Sequence, residues 1–277
     1  MNNRMEIRPK RFINVCHYQH PSSKKTAFLI HGLGGRSGQW LPQLTVLKKD
    51  YSVVIPDLYG HGQSDKPKPS NAFNPYTFSE YEQDLRILFN RFATDTNIIA
   101  GHSYGGALAA SLAIDHQDKV NRLVLISPVP CTPNLQISWA YKLPLFMMEI
   151  FRFLLEKKAQ KQSFDPTTDP KIIETELYES RKNPMYVIKA AIDGMLQMQR
   201  IDVTMLTVPT LILLGQHDQL ILSEVSQKFY QQLPHHRIIM LDNIAHMALA
   251  EKPDVVNIEM TNFLQEEFQF PLRDRAM

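Results

Sequence analysis

Cysteine is nearly absent from this chain, with two residues, Cys16 and Cys131, in 277. They lie far apart and fit no metal-ligand or redox spacing, which excludes a disulfide-stapled scaffold and a thiolate metal site. Both read as reduced, partly buried small hydrophobes. Charge imbalance is equally scarce: 30 basic residues face 28 acidic ones, for a net charge of +2. Phosphate binding needs a clustered excess of Lys and Arg, so nucleic acid is excluded as a partner class. The one basic run, Arg4, Arg8, Lys10 and Arg11, reads as a solvated terminus rather than an anionic-lipid contact. No apolar run of signal-peptide type opens the chain, because Arg4, Arg8, Lys10, Arg11 and Asn14 interrupt it. The longest greasy stretch, residues 143–155, contains Glu149 and Arg152 and is too short to span a bilayer. A soluble cytoplasmic protein is the default expectation.

What is present is core-forming material, with 44% hydrophobic and 21% charged residues. At this length one large α/β domain with an inserted subdomain is the natural arrangement. Short apolar runs closed by Gly, Pro or Asp predict strands at 26–30, 52–55, 97–100, 122–126, 210–214 and 237–241. Most are apolar at nearly every position, as strands covered on both faces of a parallel sheet are. Helical patterns alternate with them. Residues 79–92 place Leu85, Leu88, Phe89 and Phe92 on one stripe, 104–116 is rich in Ala and Leu, 223–232 begins with Ser223 as N-cap, and 255–268 follows Pro253. Such alternation implies a mostly parallel sheet with helices on both faces. The segment before Thr26, with weak alternation over 12–18, is expected to add antiparallel edge strands.

One interval breaks the rhythm. Residues 128–200 carry no strand pattern and offer helices at 143–155, 171–180 and 186–199, with a turn-rich spacer of two prolines at 164–170. The expected division is therefore a core of 1–127 and 201–277 with a helical insertion at 128–200.

The chemistry is concentrated at four strand ends. Gly-His-Ser-Tyr-Gly-Gly at 101–106 follows a predicted strand and opens a predicted helix, the setting of a nucleophile elbow around Ser103. His-Gly-Leu-Gly-Gly at 31–35 ends the 26–30 strand, where glycines let backbone N–H groups approach a substrate. Acyl transfer develops an oxyanion that two such donors stabilise, and the N–H groups of Leu33 and Tyr104 are the candidates. A serine hydroxyl needs a base and an orienter for that base. Of ten histidines, His246 is the best-placed base, in a loop beyond the last predicted strand. His31 and His102 belong to the glycine motifs and read as structural, and His61 as loop packing. His235 and His236 precede a strand, His217 adjoins a better-placed carboxylate, and His17, His20 and His116 have no supporting context. Asp218, just past the 210–214 strand, fits the orienter; Asp242 is the rival, read as a loop cap. The order Ser103, Asp218, His246 is the one expected of α/β-hydrolases, and all three end strands at the carboxyl edge, where open α/β sheets bind ligands.

On those residues, together with Asp57, Gly60, Gly62 and Ser64 and the Ala245-His246 pair, the chain resembles the α/β-hydrolase superfamily over nearly its whole length. Within it the chain is similar to abhydrolase-domain lipid-type serine hydrolases and bacterial carboxylesterases. The resemblance implies a helical lid inserted after the sixth strand, matching 128–200, and catalysis without a metal or organic cofactor. Ala245 stands where many members have glycine, with a small effect on loop geometry expected.

Substrate is less legible. Trp139, Tyr141, Leu143, Leu145, Phe146, Met147, Met148, Ile150, Phe151, Phe153 and Leu154 make an apolar stretch, with Met185, Met195, Met198 and Met205 adding soft surface. Packing of the insertion onto the core is the reading for most of them, with some lining the cleft between the two; a lid face touching lipid is the other. The expected activity is hydrolysis of esters or thioesters of apolar acyl groups, through attack by Ser103. A carbon–carbon bond hydrolase or an aminopeptidase would keep the same triad, and a non-catalytic binding protein is the alternative of another class. Haloalkane dehalogenases and epoxide hydrolases are disfavoured, since both use Asp at the nucleophile position.

Overall fold

A computed structural model describes residues 2–132 and 143–266. Eight strands form one sheet: β1 (Asn2–Arg8), β2 (Arg11–Tyr18), β3 (Lys25–Ile30), β4 (Ser52–Pro56), β5 (Thr96–His102), β6 (Val120–Ile126), β7 (Thr210–Gly215) and β8 (His236–Leu241), in the spatial order β1-β2-β4-β3-β5-β6-β7-β8. β1 and β2 pair antiparallel with each other and β2 antiparallel with β4, while every pairing from β4 to β8 is parallel. The expected antiparallel edge is therefore present. This is the α/β-hydrolase fold.

Alternation along each buried strand sends side chains to opposite faces. Phe28, Ile30, Ile99, Leu123, Leu125, Ile212 and Leu214 pack on one side with α2 (Phe78–Phe92), α3 (Tyr104–Asp115) and α8 (Ser223–Tyr230). Ala27, Leu29, Ile98, Ala100, Val124, Ile126, Leu211 and Leu213 pack on the other with α1 (Leu41–Leu47), α9 (Ala248–Glu251) and α10 (Pro253–Gln265). Parallel pairing puts the carboxyl ends of β3, β5, β7 and β8 along one edge, with Ile30 opposite Gly101 and Gly215 opposite Leu241.

Between β6 and β7 the described residues form no strand but four helices, α4 (Leu145–Ile150), α5 (Arg152–Ser163), α6 (Pro170–Arg181) and α7 (Met185–Leu196). The helix predicted over 143–155 is divided at Phe151, whose backbone ends α4 and begins α5. Pro170 opens α6 at N1, where its missing N–H costs nothing, and Asp169 caps it by accepting from Lys171 N–H at 2.9 Å. Ser223 is not the N-cap expected of α8; that position is Leu222, and the Ser223 hydroxyl instead donates to the Gly215 carbonyl at 2.6 Å.

Two surface expectations need correcting. Arg8 and Arg11 are not solvated: Arg11 is buried, both guanidinium groups pair with Asp84 of α2 at 2.7–2.8 Å, and Arg11 lies over the Tyr59 ring at 3.7 Å. Arg4 keeps an exposed pair with Asp65. In the insertion, Met148, Met185, Met195 and Met198 are buried, as packing requires, but Leu145, Phe146, Ile150, Phe151, Phe153 and Leu154 are exposed, Ile150 by 70%. Trp139 and Tyr141 lie outside the described residues. No helix among the described residues is long and apolar enough to cross a membrane.

Candidate active site

β5 ends at His102 and α3 begins at Tyr104, which leaves Ser103 alone in the turn with φ 55° and ψ −123°. An L-residue there carries strain of about 1–3 kcal/mol, which the surroundings must hold. They do so through the Ser103 N–H, which donates to the Ile126 carbonyl at 2.9 Å, and the Ser103 carbonyl, which accepts from Gly106 at 2.9 Å and Val129 at 3.1 Å. The tightness of the turn explains its glycines. A Cβ at Gly101 would strike the Gly105 carbonyl and approach Ala109 Cβ to 2.7 Å; one at Gly105 would strike the carbonyls of Ile30 and His31.

The structure brings Ser103, Asp218 and His246 together. His246 Nε2 is 2.8 Å from Ser103 Oγ, and His246 Nδ1 is 2.7 Å from Asp218 Oδ2. A carboxylate only accepts, so Nδ1 carries the proton and Nε2 faces the serine hydroxyl with its lone pair. The other Asp218 oxygen, Oδ1, accepts from the N–H groups of Leu220 and Ile221, both at 2.9 Å, which fixes the carboxylate. Ser103 keeps 9% of its surface and the other two still less. Among the described residues Asp242, the rival carboxylate, offers its backbone carbonyl, to Lys252.

The remaining histidines divide as expected. His102 Nε2 donates to the His246 carbonyl at 2.9 Å, and burial followed by the neighbouring His246 pushes the His102 imidazole down to about 3. It is a neutral prop under the base. His31 donates from Nδ1 to the Gly32 carbonyl at 2.7 Å and accepts the Leu58 N–H at Nε2, 2.9 Å away; burial keeps it neutral as well. Tyr104 follows Ser103 in the chain and Leu33 follows Gly32, where a Cβ would come within 2.8 Å of Ser103 Cβ; neither backbone N–H has a hydrogen-bond partner among the described residues. No group of three or more His, Cys, Asp and Glu side chains among the described residues is placed to hold a metal ion.

A sequence profile of the family described as "Serine aminopeptidase, S33" matches residues 21–253. The chain belongs to this α/β-hydrolase family. Among its relatives, protein ABHD8 of Bos taurus is 29% identical over 269 residues, covering 93% of this chain and 61% of that protein. The chain thus spans about three fifths of the length of that relative. YugF, an uncharacterized hydrolase of Bacillus subtilis, is 22% identical and matches 90% of this chain and 93% of its own. Among solved structures, a thermophilic esterase from Thermogutta terrifontis superposes with a TM-score of 0.77 at 21% identity, covering 91% of this chain and 93% of the esterase, a likeness of fold.

Other residues hold the site in ways the sequence did not disclose. Asp57, buried after β4, accepts from Ser37 N–H at 2.6 Å, Gln63 N–H at 2.8 Å and Asn14 Nδ2 at 2.9 Å. It thereby clamps the loop that carries Leu33 to β2 and to the turn at Gly62. Burial acts to raise its carboxyl, but these three donors act the other way and its carboxyl lies below the usual carboxylate range. A folded value below the unfolded one contributes stability above about pH 4, lost as pH falls through the folded value. Asp57→Asn is expected to cost about 2–3 kcal/mol at pH 7, with a gap to wild type that narrows at acid pH. Urea unfolding at pH 7 and pH 3 measures both, and an equal gap at the two pH values refutes the assignment. A second carboxylate, Glu251 of α9, accepts from the N–H groups of both neighbours of His246.

Proposed function

We propose that the protein is a serine hydrolase that cleaves esters or thioesters of apolar acyl groups through an acyl-enzyme on Ser103. The observation that carries the reading is the unbroken relay from Ser103 Oγ through His246 to Asp218, with links of 2.8 and 2.7 Å. Ser103 Oγ attacks the substrate carbonyl while His246 Nε2 takes its proton, and Asp218 stabilises the imidazolium without taking the proton itself. The N–H groups of Leu33 and Tyr104 receive the oxyanion. The imidazolium then protonates the leaving group, and a water deprotonated by His246 releases the acid.

In this reading residues 128–200 form a lid over a core of 1–127 and 201–277. Support for an apolar acyl group comes from the inward side of the helices, where Met148, Val187, Ala190, Ala191, Ile192 and Met195 are buried. Unbranched methionines adapt to chains of varied shape. Nitrophenyl esters of increasing chain length are expected to give a kcat/KM that peaks at a medium length and falls on either side. A flat profile removes the lid's part in selection. The family description favours a second reading, release of an N-terminal amino acid from a peptide by the same relay; turnover of aminoacyl nitroanilides exceeding that of the esters would establish it instead. Failure of a fluorophosphonate to label Ser103 in the folded protein would leave a non-catalytic binding protein.

A further inference from the structure

Glu251 is the meeting point of two segments far apart in sequence. Its Oε1 accepts from the N–H groups of Ala245 and Met247, each at 3.1 Å, so the residues on both sides of His246 hang from one oxygen. Its Oε2 accepts from Asp165 N–H at 2.8 Å and the Thr168 hydroxyl at 2.9 Å, both in the turn between α5 and α6. The same turn reaches the acid loop: Asp165 Oδ2 pairs with His217 Nδ1 at 2.5 Å, and the Gln162 carbonyl accepts Gln219 N–H at 3.2 Å. Met247 N–H is shared with the Ser163 carbonyl at 3.0 Å. The helical insertion is thus stitched to the loops on either side of the relay. Burial pushes the Glu251 carboxyl up, and the four donors act against that push.

We propose that Glu251 is the positioning residue of His246, setting the reach of the imidazole toward Ser103 and tying that reach to the position of the turn at 165–168. The proposal rests on the serine-hydrolase reading of Ser103. Its physical basis is that an error of about 1 Å in a reacting group costs on the order of a hundredfold in rate, and removal of Glu251 frees the Ala245 N–H and leaves the Met247 N–H to the Ser163 carbonyl alone.

The test compares Glu251→Ala and Glu251→Gln with wild type on a soluble nitrophenyl ester. Glu251→Ala is expected to lose roughly a hundredfold in kcat with KM changed less than about threefold, and to label more slowly with a fluorophosphonate by a similar factor. Glu251→Gln keeps one acceptor oxygen for Ala245 and Met247 but points an N–H toward Asp165, so its kcat is expected to fall only about fivefold, a partial rescue consistent with one surviving acceptor. The proton on His246 Nδ1, expected at low field by NMR in wild type, should move or broaden in Glu251→Ala. A merely structural glutamate would lower the thermal midpoint of both variants and leave kcat per folded molecule and the resonance intact, which overturns the proposal. Should Glu251→Ala not fold, Glu251→Gln decides alone: wild-type kcat with an unmoved resonance overturns it. Wild type lacking any Ser103-dependent turnover sinks the hydrolase reading instead, and the resonance still reports on Glu251.

Discussion

Ser103→Ala is expected to lower kcat for ester hydrolysis by ~10⁴-fold or more while leaving KM within a few-fold. The hydroxyl is the only nucleophile on the relay, and its sole side-chain hydrogen bond among the described residues is to His246. Removing it therefore takes away the attacking atom and no element of the fold. The turn itself is held by the Ser103 backbone, through Ile126, Gly106 and Val129. Alanine retains those bonds, so circular dichroism and the thermal midpoint should be close to wild type. Turnover by the folded variant at the wild-type rate refutes the mechanism outright.

Asp218→Asn is expected to cost about 10⁴-fold in kcat, again with little change in KM. The amide oxygen can still accept from Leu220 and Ile221, as Oδ1 does now at 2.9 Å, so the loop stays in place. The amide nitrogen then faces His246 Nδ1 as a donor. The imidazole answers by taking the other tautomer, with its proton on Nε2, and loses the lone pair that accepts the serine proton. Pre-steady-state release of nitrophenol reads acylation directly and should slow by the full factor. A burst as fast as in wild type would show that Asp218 does not orient the base.

Much of this architecture was legible because its determinants are local. Residues 97–100 and 210–214 are apolar at almost every position, and that pattern already implies a central strand; the observed β5 and β7 extend it by a residue or two at their ends. Gly101 and Gly105 announce the turn at Ser103, since a Cβ at either would run into backbone. Asp218 and His246 could be chosen because each follows a strand that parallel pairing brings to the same edge. What stayed hidden depends on contacts across long separations. Glu251 meets Asp165 across 86 positions and Arg11 meets Asp84 across 73, and no periodicity encodes such a meeting. Arg8 and Arg11 read as solvated because a short basic run usually is; Asp84 on the buried face of α2 and Glu80 beside it pair with both instead. The break at Phe151 and the exposure of Phe146, Ile150, Phe153 and Leu154 were hidden for a related reason, since hydropathy registers greasiness and not which side of a helix finds a partner.

The parallel sheet also imposes a timetable on the emergence of activity. Ser103 and its histidine are 143 positions apart, and the strand that delivers His246 is β8, at the outer margin of the sheet, paired only with β7. A ribosome adding about 5–20 residues per second takes on the order of ten seconds to travel from one to the other. During that interval the nascent polypeptide carries an ordinary, unactivated alcohol. On the proposed mechanism Ser103 gains its base only when β8 docks on β7. A copy truncated before β8 would lack His246 and with it the proposed relay.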